Sequence, residues 1–201
     1  MKKILGLLLM AAAGLAAPAS GANAVSEIEA LLPAETFRMA RSAALSGRFV
    51  QTRTLKGLAR PLRSSGRFAY ARDHGVLWSV QQPFAEDYVF SGDRLIATGG
   101  ASPPAFGTEI ARLLTALFTL ELTALERSFA LQAQRDKSGW NLRLIPRHRA
   151  LSAALREVRL EGRRHLQRVR IEDDDGNLTR IDLSQLRVVK ALPAEVLAKF
   201  Q

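Results

Sequence analysis

The hydrophobic pattern divides the chain into a helical beginning and a long series of strands. Apolar residues starting with Ile28, Leu31 and Leu32 recur at near-helical spacing. They predict a helix over residues 25–46, bent or broken at Pro33 and ended by Gly47. From Arg48 the period changes to two, which predicts strands. The alternating sets in this half are Phe49/Gln51, Phe68/Tyr70, Val76/Trp78/Val80, Tyr88/Phe90 and Leu95/Ala97.

A second helical pattern interrupts the strands. Apolar side chains at i, i+3, i+4 and i+7 predict an amphipathic helix after a Pro-rich loop, and they are Ile110, Leu113, Leu114 and Leu117. The period of two then resumes, and the sequence "LPAEVLAKFQ" predicts a short C-terminal helix. The later strand sets are Phe129/Leu131/Ala133, Trp140/Leu142/Leu144, Val158/Leu160, Val169/Ile171 and Ile181/Leu183. Tight turns are predicted at residues 91–93, 137–139 and 175–176.

These elements predict a mainly β fold with a few helices. Nine to eleven antiparallel strands with one apolar face indicate a single strongly curved sheet, or half-open barrel. The helices are the only elements that can cover that face, so they form a helical lid. A curved sheet closed in this way either encloses a ligand cavity or is filled as a tight core, and composition does not separate the two. No repeat or linker is present, which predicts one domain over residues 25–201.

The N-terminus has the order of a secretory signal peptide. Lys2 and Lys3 precede a short apolar run, which is followed by small residues ending at Ala22-Asn23-Ala24. We expect cleavage after Ala24, with Ala19 as the second choice, so that residues 1–24 form the signal peptide. The exported product is expected in the periplasm.

Charge and cysteine content narrow the classes of partner. The 201 residues contain no cysteine and carry a formal charge of +10, so no disulfide contributes to the fold. In an exported protein such a charge favours an anionic membrane surface or an acidic partner over nucleic acid. An Arg-rich composition inherited from the genome explains the charge equally well.

The sequence offers little for catalysis or metal binding. His74, His148 and His165 lie in separate segments without ligand spacing, and there is no cysteine. The acidic run before Gly176 lacks the Asp that a calcium loop needs at position 171. Asp73-His74 reads best as a hairpin tip, with a hydrolase using Ser64 or Ser65 as the weaker alternative. We predict no metal, no cofactor and no enzymatic activity.

The first strands carry a spaced motif. It reads F-x-Q, then G-x-(aromatic or Leu)-x-(aromatic or Val)-x-R, then Trp six and Pro five residues further on. The positions are Phe49, Gln51, Gly66, Phe68, Tyr70, Arg72, Trp78 and Pro83, and "YVFSGDRLI" follows. This pattern resembles the LolA family, the periplasmic carriers of outer-membrane lipoproteins. The resemblance is good over residues 47–95 and looser through the helix at 105–119 to the "LSQLRVV" region.

The resemblance implies a half-open barrel under a helical lid. It also implies a monomeric, non-enzymatic chaperone for lipoprotein transport, which takes acylated cargo from an inner-membrane ABC exporter to an outer-membrane acceptor. Arg72 would gate the lid by bonding its backbone, and Trp78 would line the barrel. A solvent-facing hairpin arginine and a packed core tryptophan are the plainer readings. The predicted cavity-lining set is Phe49, Phe68, Tyr70, Val76, Trp78, Val80, Phe90, Leu113 and Leu117.

Two departures from the family pattern suggest a divergent member. Asp73 stands where the family usually has Pro, and the sequence ends at Gln201 without the family's further C-terminal strand. An accessory carrier for a lipid-linked pigment pathway is therefore an alternative to general lipoprotein sorting. A sensor or interaction module on the same scaffold, binding a protein partner, is another.

Overall fold

The computed structural model describes residues 21–91, 94–97, 115–116 and 119–200, with side chains described from residue 25 onward and not at residue 94. Most of the predicted signal peptide lies outside these residues. The same holds for the predicted helix around Ile110, including the two predicted lining residues Leu113 and Leu117, and for Gly92 and Asp93 of the first predicted turn.

Ten antiparallel strands form one sheet in the described part of the chain, as the period-two patterns predict. The sheet order is β5-β4-β3-β2-β1-β10-β9-β8-β7-β6, and the edge strands β5 and β6 are not paired with each other. The sheet is therefore curved but not closed. The strands are β1 Ala44–Thr54, β2 Leu62–Ala71, β3 Gly75–Gln82, β4 Glu86–Ser91, β5 Arg94–Ala97, β6 Phe129–Arg135, β7 Trp140–Pro146, β8 Leu155–Gly162, β9 Leu166–Asp173 and β10 Leu178–Val189.

The N-terminal helix prediction is only partly right. The predicted break at Pro33 separates α1 (Gly21–Leu31) from α2 (Ala34–Ala40). The predicted helix end at Gly47 is wrong, because β1 already begins at Ala44, which pairs with Ala71 of β2 and Val189 of β10. Pairing on both sides satisfies the backbone of residues 44–46, and this overrides a local pattern that is compatible with a helix.

Three of the described helices cover one face of the sheet, which we call the inner face. Side chains of α1, α2 and α3 (Leu122–Ser128) join inward-pointing residues from all along the sheet in one buried cluster. Ile28, Ala40 and Leu125 are among the helix residues that contribute. The inner face therefore carries the main hydrophobic core.

The opposite, outer face is divided into two halves. Over β1 to β4 it is covered by the C-terminal segment, which contains α5 (Ala194–Leu197) and a 3₁₀ turn, Ala198–Phe200. Leu192, Val196 and Phe200 pack there on Ala69 and Leu77, and Lys199 Nζ lies 2.7 Å from Asp87 Oδ2. Over β7 to β10 the outer face instead carries cross-strand ion pairs, such as Arg168 with Asp182. A further short helix, α4 (Arg149–Ser152), joins β7 to β8.

An irregularity in β10 redirects its side chains. The pairing with β1 shifts between Ser46 and Arg48, and Gln185 adopts a positive φ of 53° on the opposing strand. This bulge breaks the alternation, so that Leu183 and Leu186, three residues apart, line the same small cavity.

The predicted turns are confirmed where they are described. The Arg72-Asp73-His74 segment forms the tip between β2 and β3, with His74 N donating to Ala71 O at 3.0 Å. The acidic run forms the β9–β10 turn, where the Asp173 carboxylate accepts bonds from the backbone and side-chain nitrogens of Asn177, both at 2.8 Å. Within the described ranges, no helix is long and apolar enough to cross a membrane.

Candidate functional site: the covered inner face

Three aromatic side chains form the centre of the inner face. Phe49 of β1 and Trp78 of β3 stack with ring centroids 3.7 Å apart at 22°, and Phe68 of β2 lies 6.0 Å from Trp78. They meet because Phe68 pairs with Trp78 across β2 and β3 while Phe49 pairs with Gly66. Gly66 has no side chain, which leaves room for the Phe49 ring between its neighbours. The wall is rigid, flat and apolar, which suits contact with hydrocarbon.

The other predicted lining residues that are described lie beside these rings. Tyr70, Val76 and Phe90 are buried on the same face, and Val80 is half-buried against the cluster. Burial raises the pKa of the Tyr70 phenol, and the Arg72 charge opposes part of that rise. The structure thus brings seven of the nine predicted lining residues together in one core cluster.

The described side chains pack closely around the aromatic stack, whose three rings are buried. A cavity of about 20 Å³ lies between α2, Leu120 and the β10 bulge, where Thr36, Leu45, Leu183 and Leu186 line it. That volume holds about one water molecule. None of the predicted lining residues that are described borders this cavity, so an acyl chain fits against the wall only if the covering elements move.

Arg72 ties the β2–β3 hairpin to the end of α2. Its Nη2 donates to the carbonyl oxygen of Arg41, the residue that caps α2, and its backbone N donates to Ala43 O at 3.0 Å. The last carbonyls of a helix have no partner within the helix, so a guanidinium is well suited to satisfy one. Arg72 itself is exposed, and Asp73 forms no ion pair with it or with any other described residue.

A second contact fixes the beginning of α2. Thr36 is only 2% exposed, and its hydroxyl donates to Arg164 O in the β8–β9 turn at 2.8 Å. Sequence reasoning missed this residue. The available signal was a single Thr on the apolar side of a short helix, which requires a hydrogen-bond partner when buried. Together, Thr36 and Arg72 attach α2 to both halves of the sheet.

The hydrolase alternative fails on geometry. Ser65 pairs with Gln82, whereas His74 lies at the other end of the same hairpin, next to the Ala71–Gly75 pair. Six residues of strand separate Ser65 from Ala71, a span of roughly 20 Å. Ser64 and Ser65 therefore cannot reach His74, whose ring instead lies 5.5 Å from that of Phe200.

Comparison with known proteins gives a family match. The family model described as "Outer membrane lipoprotein carrier protein LolA-like" matches residues 16–185. A search of curated proteins gives no match.

One of the similar solved structures supports the fold. A crystal structure of MucB matches with a TM-score of 0.50 at 16% identity, over 92% of this chain and 64% of that one. The Pseudomonas aeruginosa MucA/MucB complex matches with a TM-score of 0.44 at 17% identity, over 83% of this chain and 58% of that one. A LolA superfamily protein from Nitrosomonas europaea matches with a TM-score of 0.43 at 8% identity, over 87% of this chain and 96% of that one. The chain thus spans less than two thirds of the MucB chains.

Proposed function

Because the chain belongs to the outer membrane lipoprotein carrier protein LolA-like family, we propose that it is a non-enzymatic carrier that shields acyl chains on the inner face of its sheet. The cargo is an acylated lipoprotein or a related lipid. By family resemblance the carrier operates in the periplasm, between an inner-membrane exporter and an outer-membrane acceptor.

One observation carries this proposal. The largest apolar surface of the sheet is covered by short helices instead of a second sheet, and among the described residues two side-chain hydrogen bonds, from Thr36 and Arg72, attach α2 to the sheet. Each buried CH₂ of an acyl chain contributes roughly 0.8 kcal/mol. A ligand with long chains can therefore offset the loss of a few helical contacts.

The connectivity of the sheet supports a movable cover. β5 and β6 are the two edges of the sheet and are consecutive strands, so residues 98–128 run from one edge to the other. The family's lid corresponds to positions 105–119 within this connection. Movement of this connection would therefore break no pairing between the ten described strands.

Binding of a fluorescent fatty acid tests the proposal. We expect saturable binding, with displacement of the probe by a synthetic acylated lipopeptide. The same peptide without its acyl chains is the matched control and should not compete. A protein that is folded by circular dichroism and binds no probe at any accessible concentration would remove the carrier function.

The close packing of the described inner-face side chains favours a second candidate function. The 3.7 Å stack of Phe49 on Trp78 and the cavity of about 20 Å³ suit a module that binds a protein partner without holding lipid. MucB, which has a similar fold, is described in complex with MucA. Recovery of one stable protein partner from the cell envelope, together with no probe binding, would support this candidate instead of the carrier.

A further inference from the structure

The hairpin formed by β1 and β2 has an unusual charge distribution. Residues 48–67 include six basic side chains and no acidic one, and the six are Arg48, Arg53, Lys56, Arg60, Arg63 and Arg67. None of them forms an ion pair with a described residue. Arg48 and Arg67 even pair directly across the two strands, both exposed. Like charges in that position repel each other, so the arrangement is unfavourable for the isolated fold.

The other half of the sheet shows the opposite pattern. Its outer-face arginines are matched by carboxylates, as in the pairs of Arg143 with Glu157 and Arg156 with Glu172. Among the described residues, unpaired basic side chains also occur in that half, for example Arg135, Arg149 and Arg187, but six of its arginines form ion pairs, whereas none of the hairpin's basic side chains does. The hairpin thus carries an uncompensated positive charge, which fits an anionic partner outside the chain.

Apolar side chains project at the end of this hairpin. Leu58 and Leu62, in and beside the β1–β2 loop, are 51% and 50% exposed, and Phe84 in the adjacent β3–β4 loop is 82% exposed. Both loops lie at the same end of the sheet, because Leu62 begins β2 and Gln82 ends β3. Exposed apolar tips surrounded by basic side chains are characteristic of surfaces that enter the headgroup region of a bilayer.

An open hollow of about 400 Å³ lies at the same end of the sheet, where Arg63, Ser64, Ser65, Gln82 and Pro83 line it. Arg63 offers donors to phosphate oxygens, whereas the Ser65 hydroxyl already donates to Gln82 Oε1 at 3.4 Å. Pro83 precedes Phe84 in the chain, so a headgroup bound beside Arg63 would lie next to the apolar tips.

We propose that this end of the sheet docks on an anionic phospholipid bilayer. Leu58, Leu62 and Phe84 enter the interface, and the hollow receives a headgroup. The basic side chains nearest the loop face the surface, and they are Arg53, Lys56, Arg60 and Arg63. The apolar tips favour a bilayer over nucleic acid, which presents phosphates but no apolar phase beneath them. This end also carries acidic side chains: Glu86 follows Phe84 by two residues, and the β9–β10 turn with Asp174 and Asp175 contacts the β1–β2 loop, where Lys56 N donates to Asn177 Oδ1 at 2.7 Å. The basic side chains of the loop outnumber them nearest the apolar tips Leu58 and Leu62. The surface lies opposite the Arg72 end and does not depend on acyl-chain binding by the inner face.

Vesicle co-sedimentation tests the docking surface, using the protein as isolated from cells. We expect binding to phosphatidylcholine vesicles that contain phosphatidylglycerol and much weaker binding to phosphatidylcholine alone. Removing two charges with Arg60→Gln and Arg63→Gln should weaken the binding at least roughly ten-fold, since each basic residue near an anionic surface contributes several-fold. Phe84→Ser should weaken it roughly ten-fold through the lost apolar contact.

Matched variants separate docking from general charge and from misfolding. Arg143→Gln removes one charge from the carboxylate-matched half and should leave vesicle binding unchanged. Phe84→Trp should show a blue shift of its added emission on anionic vesicles only, because the side chain enters the interface. The proposal would be overturned if the protein bound neutral and anionic vesicles equally well. It would also be overturned if Arg143→Gln weakened vesicle binding as much as the Arg60→Gln/Arg63→Gln pair does, or if the emission of the Phe84→Trp variant did not shift. Equally tight binding to free nucleic acid, with no effect of Phe84→Ser on vesicle binding, would overturn it too.

Discussion

We propose that the exposed side chain of Arg72 limits the affinity for the ligand. Its bond to the Arg41 carbonyl exists only while α2 lies against the hairpin. A ligand whose binding displaces α2 would have to break this bond, so the bond would lower the affinity and favour release. The family resemblance pointed to the lid as the partner of Arg72. Within the described residues the partner is instead the end of α2, a helix that the sequence pattern had merged with the following strand.

Replacing Arg72 by Leu should make the carrier hold its ligand more firmly. A net hydrogen bond contributes about 1 kcal/mol, so we expect the stability of the empty protein to fall by at most that amount. The affinity for the fatty-acid probe should rise by up to about five-fold, with a slower off-rate. Stopped-flow release of the probe measures the change.

The control for this variant lies on the acceptor side of the bond. Arg41 accepts through its backbone carbonyl, so Arg41→Ala keeps the bond and should change probe release less than Arg72→Leu does. Identical release kinetics for Arg72→Leu and the wild type would eliminate the gating role and leave acyl binding untouched.

At the scale of elements, the sequence predicted the strands better than it predicted which segments pack on the two faces of the sheet. Ten strands follow from period two and from turns such as Asp175-Gly176, because alternation and turn chemistry are local. Packing of the C-terminal segment on the outer face was not predicted. Its signal was present in the nearly continuous apolar run from Val76 to Trp78, since a strand that is apolar at successive positions is buried on both faces.

The same locality explains the errors near the N-terminus. Ala44 and Leu45 fit a helix or a strand, and only partners 25 or more residues away in the chain decide between them. The anchor residue Thr36 depends on the β8–β9 turn in the same way. Non-local contacts of this kind leave little trace in a single sequence.

The outer-face ion pairs predict how stability depends on pH. Burial raises the pKa of Asp182, but hydrogen bonds from Arg180 and Arg168 outweigh it and hold this pKa below the usual range. Burial also raises the pKa of Asp87, but hydrogen bonds from Lys199 and Ser79 lower it by more. In the same way, hydrogen bonds from Arg143 and Arg159 lower the pKa of Glu157. These carboxylates take up protons in the unfolded chain before the folded one, so their contribution is complete above about pH 5 and is lost as pH falls below about 4.

Urea denaturation between neutral pH and about pH 3 measures this effect. We expect the free energy of unfolding to decrease steadily below about pH 4, and we expect a shallower decrease for Asp182→Asn, which removes one of the shifted groups. A wild-type curve that is flat over this range, or a variant curve with the same slope, would contradict the assignment.

At the scale of the whole molecule, we propose different tasks for the two ends of the sheet. The end with Arg72 and α2 would control access to the inner face, and the end with Phe84 and the basic hairpin would face the bilayer. The curvature and the apolar inner face followed from the sequence. The closed state of that face did not, because whether side chains fill a volume or leave it open depends on packing detail at the scale of one methyl group.

The central claim is that acyl chains lie against the aromatic wall, and Trp78 reports on it directly. The chain has two tryptophans, and Trp140 Nε1 has no hydrogen-bond partner among the described residues, so Trp140→Phe leaves Trp78 as the single emitter without breaking a bond. We predict that a fatty acid brominated along its chain quenches most of this emission in a saturable manner, while the unbrominated acid does not. Unquenched Trp78 emission at concentrations that saturate the fluorescent fatty-acid probe would contradict the account.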